Sequence, residues 1–287
     1  MRLSLNTVLF NAAGVGILLF LGVYMTNSFF HSEEIPVCRA RYGNGLQFSL
    51  QSPSGKKLSN IELQARVPTR EWGLLNNARV VESQDGKAQY LQVAVGSAAR
   101  GEPAAGQDDA DDSGANSSDG VGFVWAPPSL EGARAACLSF RLFLPKDFSF
   151  DVPGKLPGLY ATRALADLDD EAVQSGFVSR LGWQKGGAIG VALRTPDSPN
   201  TWLGTPKGGW PVGRWVDISQ EVVLNAPGKS DGLVRVWIDG ALQVEKTGLN
   251  LGVNEGSLSG VVADLGYNQK SPAPARLTIS PFIIQRQ

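Results

Sequence analysis

The sequence predicts an all-β domain, a β-sandwich or jelly roll, preceded by one N-terminal transmembrane helix. Three observations carry this. More than ten short runs alternate apolar and polar residues, the mark of strands with one buried face. Gly 34 and Pro 17 supply turns between them. And no charged residue stands between Arg2 and His31.

The apolar heart of that first stretch, Val8 to Met25, approaches the about 20 residues an α-helix needs to cross a bilayer. A cleaved signal peptide is the competing reading. The run is long for that role, and Tyr24-Met25-Thr26-Asn27 is a poor cleavage site, so residues 1–30 are expected to form an uncleaved signal anchor. Asn11, Ala12 and Gly16 give that helix a small, polar face on which a second membrane helix could pack. A plain membrane-spanning anchor explains the same residues, because Gly and Ala are common in membrane helices. Residues 31–37 read as a juxtamembrane linker, and 38–287 as the β domain.

Strand-like runs follow at Leu46–Leu50, Ile61–Val67, Ala78–Val81 and Tyr90–Val95. Residues 97–120 are small, polar and acidic, a composition that cannot offset its ordering entropy by burial and predicts a mobile loop. Asp108, Asp109, Asp111 and Asp112 lack the spacing of a calcium loop, so a solvated acidic surface is expected there. Leu138, Phe140, Leu142 and Leu144 then alternate along a strand that runs into a Pro/Gly-rich loop bearing Lys155 and Tyr160. Ala164–Val173 has helical or loop character. Strands resume at Gly176–Trp183, Ala188–Arg194, Trp215–Ser219 and Gln220–Leu224. Asp239-Gly240 between Leu233–Ile238 and Ala241–Glu245 predicts a tight hairpin, since such pairs accept the positive φ that matches strand twist. Ala275–Ile284 is expected as the last strand.

Composition excludes several function classes. With 26 basic and 27 acidic residues, nothing favours nucleic acid as a partner. The single histidine, His31, rules out a histidine triad or a multi-histidine metal site in the domain. No dinucleotide fingerprint, P-loop or G-x-S-x-G elbow is present, and no cofactor or metal is expected. Cys38 and Cys137 either pair, closing a long loop, or remain two reduced buried thiols. The two cysteines favour an oxidising compartment, hence a domain outside the cytoplasm, periplasmic in a bacterium.

Cys137 to Tyr160, CLSFRLFLPKDFSFDVPGKLPGLY, resembles the signature of alginate-lyase-like proteins of the polysaccharide lyase 14 type. Gly176–Trp183 and Leu224–Gly240 resemble two further blocks of that family in the same order. The resemblance implies a concanavalin-A-like jelly roll whose concave sheet forms a glycan cleft. It also implies β-elimination on uronic acid polymers, which needs a base for the C5 proton, cations for the carboxylate and an acid for the leaving oxygen. In the family these tasks fall to a lysine in KLPGLY, a Ser-x-Arg on the next strand and a Tyr-x-Tyr on the one after. Lys155 and Arg180 match the two cations. The serine position falls on Val178, and Ser179, one residue on, would point to the opposite face. Val191 and Leu193 stand where the tyrosines are expected, leaving Tyr160 and Tyr267 as the remaining phenols for acid/base work.

Two readings result. The first is a membrane-anchored, non-catalytic extracytoplasmic interaction domain, either an accessory subunit among transmembrane protein partners or a glycan-binding module. Lys155, Arg180, Trp202 and Trp210 would be its contact residues, with Thr201–Trp210 an exposed aromatic loop. The alternative is a lyase acting on an acidic polysaccharide through Lys155, Arg180, Tyr160 and Tyr267. A glycoside hydrolase ranks last, because no motif places two carboxylates about 5–9.5 Å apart across a sugar.

Overall fold

The computed structural model describes residues 35–96, 119–162, 164–168, 173–204, 208–253, 256–269 and 274–287. The expected membrane helix, with Asn11, Ala12 and Gly16, lies outside these residues, as do His31 and nearly all of the acidic loop. Among the described residues no helix is long and apolar enough to cross a membrane. The chain divides into units Met1–Pro36 and Val37–Gln287.

The second unit is a sandwich of two antiparallel sheets. Its strands are β1 (Leu46–Gln47), β2 (Glu71–Trp72), β3 (Ala78–Glu82), β4 (Gln89–Val95), β5 (Val121–Trp125), β6 (Ala135–Phe143), β7 (Gly154–Ala161) and β8 (Phe177–Trp183). They continue with β9 (Ile189–Thr195), β10 (Ser198–Gly204), β11 (Trp215–Val223), β12 (Gly232–Ile238), β13 (Ala241–Leu249), β14 (Gly260–Tyr267), β15 (Ala275–Ile279) and β16 (Ile283–Arg286). The nine-stranded sheet runs β13-β12-β11-β6-β15-β4-β3, with β16 also on β6 and β1 on β16. The seven-stranded sheet runs β10-β9-β8-β7-β14-β5-β2.

Between the sheets lies a continuous apolar core that includes Leu138, Leu142, Leu181, Trp183, Val191, Leu193, Ala263 and Leu265. A polar tie crosses it. Gln220 of β11, fully buried, donates to Ser179 Oγ at 2.9 Å and accepts from the Leu159 amide at 3.0 Å. A buried amide with both ends bonded fixes the spacing of the sheets without leaving an unsatisfied group.

The tight hairpin forms as expected, with φ of 50° at Asp239 and 83° at Gly240. Ile61–Val67, expected as a strand, is instead helix α1 (Asn60–Ala65). The reason stands in the sequence. Ser59 accepts from the Glu62 amide while the Glu62 carboxylate accepts from the Ser59 amide, a capping box that overrides the alternating pattern. Helix α2 (Leu74–Asn77) follows. Lys155 and Tyr160, expected on a loop, lie on β7, and the expected last strand divides at Ser280-Pro281-Phe282. Strands β5 and β14 escaped the sequence reading. All eight residues of β14 are buried, so the alternation that betrays a half-solvated strand is missing.

Cys38 and Cys137 are joined by a disulfide, with their Cα atoms 5.7 Å apart. It ties the turn Cys38–Ala40 to the first part of β6. Beside it, buried Glu221 accepts from Arg41 at 2.8 Å and from the Tyr42 hydroxyl at 2.7 Å, and faces Arg235 at 3.3 Å. These contacts lay the start of the domain on the outer surface of the nine-stranded sheet.

Candidate functional site

Strand register decides which side chains share the outer face of the seven-stranded sheet, since paired residues on neighbouring strands point the same way. One row crosses it from edge to edge. Trp72 pairs with Gly122 and Gly122 with Asp264; past an irregular stretch of β7, Gly158 pairs with Arg180, Arg180 with Ala192 and Ala192 with Trp202. A second row joins Gly266, Lys155, Gly182, Gly190 and Gly204. The result is a surface with indoles near both edges, small residues between and ionised groups at the centre.

Arg180 and Lys155 therefore stand on one face, as the resemblance requires. Val178 lies on that face too, whereas Ser179 is directed into the core and held by Gln220. Val191 and Leu193 also point into the core. A tyrosine at either position would therefore enter the core and not the outer face. The outward positions of β9 are Gly190, Ala192 and Arg194, and none bears a hydroxyl.

Asp264 is the group the sequence reading missed. Its carboxylate is enclosed, with side-chain exposure of 1%, and lies 2.7 Å from Arg180 and 3.1 Å from Arg70. Burial pushes its pKa up, but Arg180, Arg70 and Lys155 outweigh that and hold the carboxyl below the usual carboxylate range. A lone Asp in the apolar run Gly260–Tyr267 was the available signal, because a buried charge must find a partner. Arg180 Nε and Asp264 Oδ2 are buried and make no hydrogen bond; the 2.7 Å contact is an ion pair without aligned donor geometry.

Tyr160 lies on the same face but is buried among Val124, Leu168, Val173, Val178 and Val262. Burial raises its pKa to about 12, against a smaller opposing pull from Arg70, so the phenol stays protonated at neutral pH. Leu168 and Val173 belong to the connection between β7 and β8. They form an apolar roof over this end of the face. Arg180 and Arg194 each donate to the Leu168 carbonyl at 2.7 Å.

The other expected site residues separate. Tyr267 is a core residue, its hydroxyl donating to the Ser149 carbonyl at 2.9 Å and its ring packed on Phe148 and Trp183. Trp210 is also buried, donating to the Gly182 carbonyl at 3.0 Å, which corrects its expected exposure. Trp202 alone of that pair remains half-exposed, on β10 rather than on a loop. Its indole lies over Gly190, where a Cβ would approach within 2.5 Å. It also borders a cavity of about 280 Å³ with Gln243, Glu245 and Lys246. Among the described residues, no group of three His, Cys, Asp or Glu side chains could hold a metal ion.

Comparison with known proteins agrees with this architecture. The family model for Polysaccharide lyase 14 matches residues 107–265. The PL-14 alginate lyase of Aplysia kurodai superposes with a TM-score of 0.59 at 21% identity, covering 76% of this chain and 90% of that one. Alginate lyase vAL-1 from Chlorella virus gives 0.57 at 16% identity, covering 74% and 90%. Alginate lyase Aly36B gives 0.58 at 13% identity, covering 85% and 98%. No match was found among curated proteins.

Proposed function

This chain belongs to the polysaccharide lyase 14 family, and we propose that it is a non-catalytic member: a membrane-anchored, extracytoplasmic domain that uses the lyase scaffold for interaction. One observation carries the reading. Arg180, the cation that would neutralise a substrate carboxylate, is already neutralised by the chain's own Asp264 at 2.7 Å. Elimination needs uncompensated charge aimed at the enolate-like intermediate; beside Asp264, Arg180 keeps hydrogen-bond donors for a bound ligand but no such charge. The acid/base side is weak as well. No hydroxyl faces outward from β9, Tyr267 is in the core, and Tyr160 is buried with a pKa of about 12.

What remains suits binding. Trp202 offers an indole face for C–H contacts with a sugar ring, and Lys155 stands on the same surface. Acidic polysaccharide is the ligand class this surface favours; structures of Aly36B mutants are in complex with alginate tetrasaccharide and trisaccharide. The disulfide fits an oxidising compartment, and the apolar stretch before the domain supplies the anchor.

Incubation of the full chain with alginate and with glucuronan tests this. The expected result is retention of the polymer without ultraviolet-absorbing unsaturated product. Product formed by the wild type and abolished by Lys155→Ala would overturn the proposal in favour of a working lyase. Stoichiometric membrane proteins co-purifying in mild detergent would identify an accessory subunit.

A further inference from the structure

We infer that the turn Leu165–Leu168 is a built-in occupant of the outer face, and that an anionic glycan reaches Arg180 and Arg194 by displacing it. The inference rests on the reading of this face as the interaction surface. Two independent sets of contacts hold the turn down. Its Leu168 carbonyl takes one guanidinium donor from Arg180 and one from Arg194, both at 2.7 Å. Leu168 and Val173 seat against Val124, Tyr160, Val178 and Val262, a small apolar cluster separate from the main core.

The turn also closes upon itself. Thr162 Oγ1 donates to the Asp167 carboxylate and lies 3.1 Å from the Ala164 carbonyl, which accepts from the Asp167 amide at 3.1 Å. With its carboxylate engaged by Thr162, Asp167 leaves the neutral Leu168 carbonyl as the group presented to the two arginines. A carbonyl is a weaker acceptor for guanidinium than a carboxylate, whose hydrogen bonds to Arg are roughly twice as strong. Arg180 Nε, buried and without a hydrogen bond, is a further donor that an incoming anion could fill. The turn therefore occupies the arginines with an acceptor that an acidic sugar can outcompete.

Competition of this kind has a fixed signature. Apparent ligand affinity is the intrinsic affinity multiplied by the fraction of molecules in which the turn is open, so weakening its seat must raise it. Leu168→Ala trims the apolar seat and leaves the carbonyl, Arg180, Arg194, Asp264 and Lys155 in place. Titration calorimetry of the full chain with an alginate oligosaccharide is expected to show at least about fivefold tighter binding by L168A than by wild type. Hydrogen exchange on the wild type supplies a second readout that needs no variant. Saturating oligosaccharide should speed exchange of the Asp167 amide severalfold while slowing amides of β8 and β9. Equal affinity in a folded L168A, no binding by either protein, or an Asp167 amide unchanged or slowed by ligand would each overturn the inference. Unsaturated product in the same samples would overturn the non-catalytic reading instead, and the exchange data would still decide the fate of the turn.

Discussion

Asp264→Asn keeps the shape of the side chain and removes its charge, leaving two guanidinium groups facing each other without a carboxylate between them. The carboxylate is 1% exposed, and Arg180 and Arg70 are 10% and 11% exposed at 2.7 Å and 3.1 Å. Solvent screening, which reduces surface pairs to little, is therefore small here. Removing one partner of a buried pair costs about 3–5 kcal/mol, because the surviving charge stays buried and uncompensated. At about 2–4 °C per kcal/mol for a domain of this size, Tm should fall by about 6–20 °C. Urea unfolding at pH 7 is the assay, with a lower midpoint and an unchanged slope as the expected result. The pH dependence has a definite sign. A carboxyl held low in the folded state stabilises above its unfolded pKa of about 3.9, and that contribution is lost as pH falls through the folded value. The gap between wild type and D264N should therefore narrow in acid below about pH 4. A variant within about 1 kcal/mol of wild type at pH 7 would refute the ion pair as a structural element.

Other outcomes follow from the same geometry. Replacing both cysteines by alanine removes a cross-link spanning 99 residues and should cost about 4–5 kcal/mol in the chain-entropy account, read as a lower urea midpoint. Tyr160→Phe should leave stability near wild type, and difference absorbance should show one fewer phenolate only near pH 12 and not at pH 10. Trp202→Ala should abolish retention on immobilised alginate with Tm nearly unchanged. Trp210→Ala should instead lower stability by about 3–5 kcal/mol, because it empties a core position.

The legible part of this chain was the part with one wet face. On β3, β4, β9 and β12, buried positions alternate with more exposed ones over enough of each strand for the pattern to be read directly. Where both faces are covered the pattern vanishes, and β14, which carries Asp264, was lost for that reason. Lys155 and Arg180 were found through a motif, and the structure places them together. Arg70 lies far from the motif in sequence, and only folding brings it to Asp264. Val191 and Leu193, read as the tyrosine positions of β9, point into the core, one residue away from the outward row of that strand. Trp210 and Tyr267 were read as surface groups because a residue's chemistry does not tell where its ring is seated. Each donates to a backbone carbonyl within the fold.

The Cys38–Cys137 bond also fixes how the domain answers to mechanical pull. Tension entering the chain upstream of Cys38 passes through the sulfur bridge into β6, which has β11 along one side and β15 and β16 along the other. Those ladders resist together, by sliding, instead of opening one bond at a time from a free end. The stretch between the cysteines, with β1 through β5, lies off the force path. Reduction of the bridge would reroute the same tension through the turn at Cys38–Ala40 and the short β1, whose few hydrogen bonds could part in sequence.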